Sequence, residues 1–311
     1  MMNRKNEEKD REGMKVLIMG LRSAGKTSLV KHVFEGKEWE DVKDLKPTEF
    51  VHTVEYKYRG LLEVTIFDAG GQKQFIYSYF TDQWASRIFS KVGIFIWVLD
   101  SSDKNTFNES KNELKKALSY LQKYSPESRN FICASKYDKH VITLEELRRI
   151  FANWNIEEIS ATSIPLGVAR EIICTILDGA MSPQVKLKVD QLQKFLIKFN
   201  KKESASATMV INKADGLEIA SAVNVKRLFN PKLKYLSIKS FIEPLDKAKE
   251  IFIQKDDIDF AVWHVGTNFI ILFDLTEQFA LFSIIPERNF KIGDMLHRLQ
   301  IIKDKIIQSL E

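Results

Sequence analysis

From Lys15 to Leu177 the chain alternates two hydrophobic rhythms. Val16-Leu17-Ile18-Met19, Val92 to Leu99 and Phe131 to Ala134 are solid apolar runs, the pattern of strands covered on both faces of a sheet. Phe50 to Tyr58 and Leu62 to Phe67 alternate instead and predict two strands joined near Arg59-Gly60, while Ile156 to Ile159 predicts one more short strand. Helical spacing fills the intervals, from Gly25 through Phe34 and at about Phe75 to Ser90, Thr106 to Tyr124, Leu144 to Asn153 and Pro165 to Leu177. Strands alternating with helices of this length predict βαβ units around a mainly parallel sheet with helices on both faces.

The rhythm changes after Gly179-Ala180-Met181-Ser182-Pro183, which reads as a linker by composition. Leu192, Phe195, Leu196 and Phe199 then sit at helical spacing. Ala207 to Asn212 and Leu217 to Val223 flank Lys213-Ala214-Asp215-Gly216, a hairpin signal. A helix is expected from roughly Leu233 to Phe252, then strands at Ile258 to Val265, Phe269 to Asp274 and Phe279 to Ile285. A final helix carries Ile292, Met295, Leu296, Leu299, Ile302 and Ile306 on one face. The order αββαβββα predicts a small α+β domain with an antiparallel sheet. Residues 1–13 read as a flexible lead-in, 14–182 as the first domain and 183–311 as the second.

Composition narrows this picture. A chain of 311 residues with 44% apolar and 29% charged positions has room for two cores and is not collagen-like, rod-like or wholly disordered. The net charge of +5 is spread along the chain, unlike the clustered footprint of a nucleic-acid binder. Cys133 and Cys174 both lie in apolar runs, so no disulfide framework is indicated and a reducing cytoplasm fits. No apolar stretch reaches the ~20 residues of a membrane span, and Met2 stands where myristoylation needs Gly. Membrane recruitment is therefore expected only through a partner.

The chemistry is concentrated after the strands. Gly20-x-x-x-x-Gly25-Lys26-Thr27 follows a buried strand and opens a helix, the context of a Walker A loop. Backbone N–H groups across Gly20, Arg22, Ser23, Ala24, Gly25, Lys26, Thr27 and Ser28 would cradle phosphates, with Lys26 reaching the β/γ-phosphates and Thr27 ligating Mg2+. Asp68-Ala69-Gly70-Gly71-Gln72 follows the strand ending at Phe67. There Asp68 would hold Mg2+, the Gly71 N–H would face a γ-phosphate and Gln72 would orient an attacking water. Pro47-Thr48 precedes the Phe50 strand, so the Thr48 hydroxyl is a third expected Mg2+ ligand, ordering its loop around a triphosphate.

Asn212-Lys213-Ala214-Asp215 matches a guanine-reading pattern, but it lies in the second domain and its Asp-Gly context explains it as turn chemistry. Ser135-Lys136-Tyr137-Asp138 is the better candidate. Asp138 would accept the N1 and N2 donors of guanine while the Lys136 stem covers the base. Ser135 stands in place of Asn, which is expected to cost an amide tie to the P-loop. Ser160-Ala161-Thr162, after the Ile156 strand, would bring a backbone N–H to the guanine O6.

Together these motifs resemble the small-GTPase branch of P-loop proteins. Met19 to Ser28, the Gly70-Gly71-Gln72 turn, Tyr79-Phe80-Thr81 through Ile88-Phe89, and Tyr124-Ser125-Pro126-Glu127 are similar to Rag-type (Gtr-type) GTPases, with an Arf-like flavour at Pro47-Thr48. The resemblance implies a GTP/GDP switch over about Lys15 to Leu177. Asn212 to Val223, with its Asp215-to-Ser221 run, resembles the central hairpin of a roadblock module, which implies homo- or heterodimerisation, with Phe195, Phe199 and Trp263 as interface or core. It also implies activator and exchange proteins as partners. Arg22 replaces a Gly of the Ras-like pattern, which predicts slow hydrolysis without an activator. The alternatives are a GTP-bound scaffold with negligible hydrolysis, a second domain that activates the first, and an unrelated ATPase.

Overall fold

The computed structural model describes residues 14–59, 61–213, 216–224, 260–289 and 291–310. The lead-in before Met14 and the helix expected at Leu233 to Phe252 lie outside them. The chain forms two compact units, Met1–Tyr58 with Leu62–Ala180, and Arg59–Leu61 with Met181–Glu311.

In the first unit, β1 (Met14–Met19), β2 (Val51–Tyr58), β3 (Leu62–Ala69), β4 (Val92–Asp100), β5 (Arg129–Ser135) and β6 (Glu158–Ala161) make one sheet in the order β2-β3-β1-β4-β5-β6. Only β2 is antiparallel to its neighbour. Among the described residues seven α-helices accompany the sheet: α1 (Lys26–Phe34), α2 (Trp39–Val42), α3 (Lys73–Tyr79), α4 (Asp82–Phe89), α5 (Phe107–Tyr124), α6 (Leu144–Ile150) and α7 (Ala169–Gly179). β4 explains its unbroken apolar run, since Ile94 to Leu99 are buried on both faces. Its Trp97 indole N–H donates to Ser110 Oγ of α5 at 2.9 Å, which satisfies the ring's one polar atom inside the core. Because the central strands are parallel, the carboxyl ends of β1, β3, β5 and β6 share one edge, and the motif loops leave from it.

The helix expected over Phe75 to Ser90 is two helices. Thr81 is extended (φ −80°, ψ 153°) and starts α4, with Asp82 in the first turn favouring a fresh N-terminus. Its hydroxyl donates to Ser78 O at 2.7 Å, and the Tyr120 phenol donates to Phe80 O at 2.6 Å. Both bonds take up carbonyls that a continuous helix would have paired.

The far end of α4 is held by Lys15 of β1, whose Nζ donates to Arg87 O at 2.8 Å and Ser90 O at 3.2 Å. Burial, and then Arg87, lower its pKa to about 8. Folding therefore strips water from an ammonium below pH 8, and that penalty disappears as the folded state discharges between pH 8 and 10.5. Stability should rise through this window by at most ~1.4 kcal/mol per pH unit for this proton. Urea titrations at pH 7.5 to 10.5 should show a shallower rise in Lys15→Met than in wild type; equal slopes would rule out the assignment.

In the second unit, α8 (Pro183–Glu203) and α9 (Ile292–Leu310) join β7 (Ala207–Asn212), β8 (Glu218–Val223), β9 (Phe260–Val265), β10 (Asn268–Asp274) and β11 (Phe279–Pro286). The sheet is antiparallel throughout, in the order β8-β7-β11-β10-β9, as in a roadblock-like α+β module. In the segment read as a linker, Gly179 ends α7, Ala180 to Ser182 are non-helical, and Ser182 caps α8 by accepting from Val185 N at 3.3 Å, with Pro183 in its first turn. Phe199 is buried with Leu192, Leu196, Met295, Leu299 and Ile306 against one sheet face, and Phe195 packs beside them. Trp263 packs against the cluster on Met209, Ile211, Leu272 and Phe282. Asn212 ends β7, with Gly216 N donating to Asn212 O at 2.8 Å and Lys213 paired to Asp274 at 2.6 Å, while Ala214 and Asp215 of the same pattern lie outside the described residues.

Candidate functional site

The loops at the shared strand edge surround a cleft of about 630 Å3. Arg22, Ser23, Gly25, Lys26, Thr27 and Ser28 line it from the P-loop, Thr48, Gly71 and Gln72 from one side, and Ser135, Lys136, Asp138 and Thr162 from the other. The P-loop leaves β1 through Gly20 (φ +152°), passes Ser23 (φ +62°) and enters α1 through Gly25 (φ +88°). No side chain caps α1 and no acidic residue lies in its first turn, so its amino end is suited to an anion.

Lys26 is buried, with Nζ donating to Leu21 O at 2.8 Å. Burial lowers its pKa to about 8, and the Asp68 carboxylate opposes that shift. Asp68 itself is fully buried, which pushes its carboxyl pKa up against the Thr27 hydrogen bond and the Lys26 charge.

The three expected metal ligands meet here. The pairing of β2 with β3 sets Val51 beside Ala69, which carries the preceding Thr48 loop onto the Asp68 turn. Thr27 Oγ1 donates to Asp68 Oδ2 at 2.7 Å and lies 2.5 Å from Thr48 Oγ1, which is 3.4 Å from the same carboxylate oxygen. Asp68 Oδ1 is buried without a hydrogen-bond partner. An orphaned carboxylate oxygen beside two hydroxyls is an all-oxygen donor set, which fits a hard cation such as Mg2+. Among the described residues no group of three or more His, Cys, Asp or Glu could hold a metal ion.

The Thr48 loop and the Gly71 turn are bound to each other. Gly70 N donates to Phe50 O at 2.5 Å, and the Tyr79 hydroxyl reaches Phe50 O at 2.6 Å and Gly70 O at 3.1 Å. The Phe50 ring packs on Phe75, Tyr79 and Trp84, with centroids 4.6 to 6.0 Å away. Gly71 lies against the P-loop: a Cβ there would stand 2.4 Å from both Leu21 C and Lys26 Nζ.

On the other side, Lys136 (φ +53°) pairs with Asp100 Oδ2 at 2.6 Å, and Asp138 Oδ1 accepts from Ser163 Oγ at 2.7 Å. Two expectations change. Ser160 and Ala161 belong to β6 and are not on the cleft wall, because the strand runs two residues beyond the apolar Ile156 to Ile159 stretch; Ser160 Oγ donates to Glu158 instead. Thr162, Ser163, Ile164 and Pro165 form that wall. Ser135 does tie the base loop to the P-loop, since its Oγ donates to Ala24 O at 2.7 Å. Gly20, Ala24 and Asp68 are not on the wall, and Ala24 and Asp68 are buried.

Sequence reasoning also missed Asp100, Ser102 and Ser163. Asp100 ends the longest apolar run, and a carboxylate at that edge was its available signal.

Residues 15–242 match the Gtr1/RagA G protein conserved region. The chain is 29% identical to the GTP-binding protein GTR1 of Saccharomyces cerevisiae over 56% of its own length and 60% of that protein's. It is 30% identical to Ras-related GTP-binding protein A of Dictyostelium discoideum over 49% of each chain. It is 35% identical to ADP-ribosylation factor-like protein 2 of the same organism over 37% of this chain and 56% of that one. The chain thus spans about half to three fifths of these relatives. It belongs to the Gtr1/RagA G protein family.

Proposed function

We propose that this member of the Gtr1/RagA family is a GTP/GDP switch whose first domain, 14–182, binds and slowly hydrolyses GTP with Mg2+ and whose second, 183–311, pairs with itself or a related module. The convergence of Thr27, Thr48 and Asp68 beside an uncapped helix amino end carries the reading. Thr27, Thr48 and Asp68 would hold Mg2+, which when bound neutralises phosphate charge and orients the β- and γ-oxygens.

The chain's own residues do the rest. The P-loop amides and Lys26 take up the charge that develops on the β–γ bridging oxygen. Gln72 holds a water in line with the γ-phosphorus; the water oxygen bonds to phosphorus as the bond to the β–γ bridging oxygen breaks, the electron pair stays on GDP and the water's proton passes to the released phosphate. Asp138, oriented by Ser163, accepts the two donors of guanine that adenine cannot offer together, while Thr162 and Ser163 replace Ser160 and Ala161 as the backbone wall near the base. Exposed Arg22 at the mouth crowds the γ-phosphate side, so turnover waits for an activator protein, and an exchange protein reopens the site.

The spread charge argues against a nucleic-acid partner. A cytoplasmic location fits the free cysteines, and no helix among the described residues is long and apolar enough to cross a membrane, so membrane contact would come through a scaffold.

Binding and single-turnover hydrolysis on the full chain test the reading. GTP should bind at least ~100-fold more tightly than ATP, and Gln72→Leu should lower the hydrolysis rate by ~10-fold or more without weakening GTP binding. Equal ATP and GTP affinity would refute it.

A further inference from the structure

Resting on the switch reading above, we infer that Tyr120 is a positioning residue for GTP hydrolysis: its hydroxyl, carried on α5, fixes the carboxyl end of α3 so that Gln72 at the other end keeps its place in the cleft.

Gln72 lines the cleft and begins α3 without spending its side chain on a cap of that helix. Its carbonyl accepts from Phe75 N and Ile76 N, both at 3.0 Å, so its backbone is carried by α3. That helix has seven residues, a length of about 10 Å. Helices this short are marginal in water on their own, so the direction of α3 is set by what holds its ends.

The two ends are held differently. Ahead of Gln72, Gly70 is bound to Phe50 of the Thr48 loop. At the far end, the Tyr120 hydroxyl donates to Phe80 O at 2.6 Å. Its ring centroid lies 5.1 Å from that of Phe80 and 5.4 Å from that of Phe89, which leaves the phenol little room to swing. The helix behind it is a firm base, since Leu114, Ala117 and Leu121 of α5 are buried and Ser110 accepts the Trp97 bond from β4.

The carbonyl that Tyr120 takes is the one at the helix break. In a single helix from Phe75 to Ser90, the arrangement that the apolar spacing favours, Phe80 O would accept from the N–H four residues on, that of Trp84. Trp84 N donates instead to Thr81 O at 3.0 Å, which leaves Phe80 O to Tyr120. Removing the phenol hydroxyl orphans this carbonyl and favours the continuous helix, which would realign α3 with α4 and draw Gln72 off its water. Tyr120 is not on the cleft wall, so the loss falls on turnover and not on nucleotide affinity.

The test uses the full chain with Mg2+, single-turnover GTP hydrolysis and fluorescent GTP. Tyr120→Phe keeps the ring and should slow hydrolysis about fivefold while leaving GTP affinity within about twofold. In a Gln72→Leu background the same change should alter the rate by less than ~1.5-fold, because a residue that acts through Gln72 has nothing left to position. An unchanged rate in Tyr120→Phe, an equal fall in both backgrounds, or a loss of GTP affinity matching the loss of rate would overturn the inference. A second measurement needs no variant. In the wild type with GTP, the amides of Ile76 to Phe80 should exchange with solvent at most ~10-fold faster than those of Ala117 to Leu121, and exchange ~100-fold faster would show that α5 does not hold α3. Gln72→Leu hydrolysing GTP at the wild-type rate would instead overturn the proposed role of Gln72, while the amide exchange would still decide whether Tyr120 holds the helix.

Discussion

Alanine at position 20 is expected to destabilise the chain by roughly 3–5 kcal/mol and to remove measurable nucleotide binding. Gly20 holds φ +152°, and a Cβ there would lie 2.2 Å from the Val98 carbonyl oxygen, well inside contact distance and against backbone that the central strand cannot move. Gly25 gives the control in the same loop. It also has positive φ, but its Cβ would meet nothing within 4 Å. Gly25→Ala should lose only the ~1–2 kcal/mol of left-handed backbone. Urea unfolding of the two variants should separate them by at least ~1.5 kcal/mol; a Gly20→Ala protein as stable as Gly25→Ala would show that the P-loop does not rest on β4 as described.

Asp68→Asn should move stability and ligand response in opposite directions. The carboxylate is fully buried, one oxygen has no partner, and burial already disfavours its charge, so a neutral amide of the same shape should leave the nucleotide-free chain as stable or ~1 kcal/mol more stable. The same change removes the anionic member of the Thr27–Thr48–Asp68 set. Melting followed with GTP and Mg2+ should then rise sharply for wild type and little for the variant, equivalent to a loss of ~100-fold or more in affinity. A variant melting with the wild-type Mg2+-dependent rise would exclude Asp68 from the metal set.

Most of the first unit was legible because its signals are local. Val16 to Met19 running into Gly20 and Gly25 writes strand, loop and helix within a dozen residues, and β4 announces its burial by having no polar position before Asp100. What stayed hidden depended on distances between elements. β6 runs on through Ser160 and Ala161 because its pairing with β5 continues to Ala134, and no hydrophobic rhythm marks such an end. The helix break at Thr81 needed the capping signal weighed above the apolar spacing on both sides. Ser135 was misjudged because the reach required of a side chain is fixed by the gap to Ala24, which only the assembled sheet reveals. Asp100 went unread because its role is to hold Lys136, thirty-six positions away in sequence. The second unit was read from helical spacing, strand rhythm and one turn signal, and the helix expected at Leu233 to Phe252 lies outside the described residues.

Tyr79 has one further consequence. With a single phenolic proton between the Phe50 and Gly70 carbonyls, and Gly70 N on Phe50 O, the segment bearing Thr48 and the segment bearing Gly71 and Gln72 are hydrogen-bonded to each other. Under the proposed function, a surface that recognises only the Phe50 side would register the state of the Gln72 turn without approaching the bond that is cleaved.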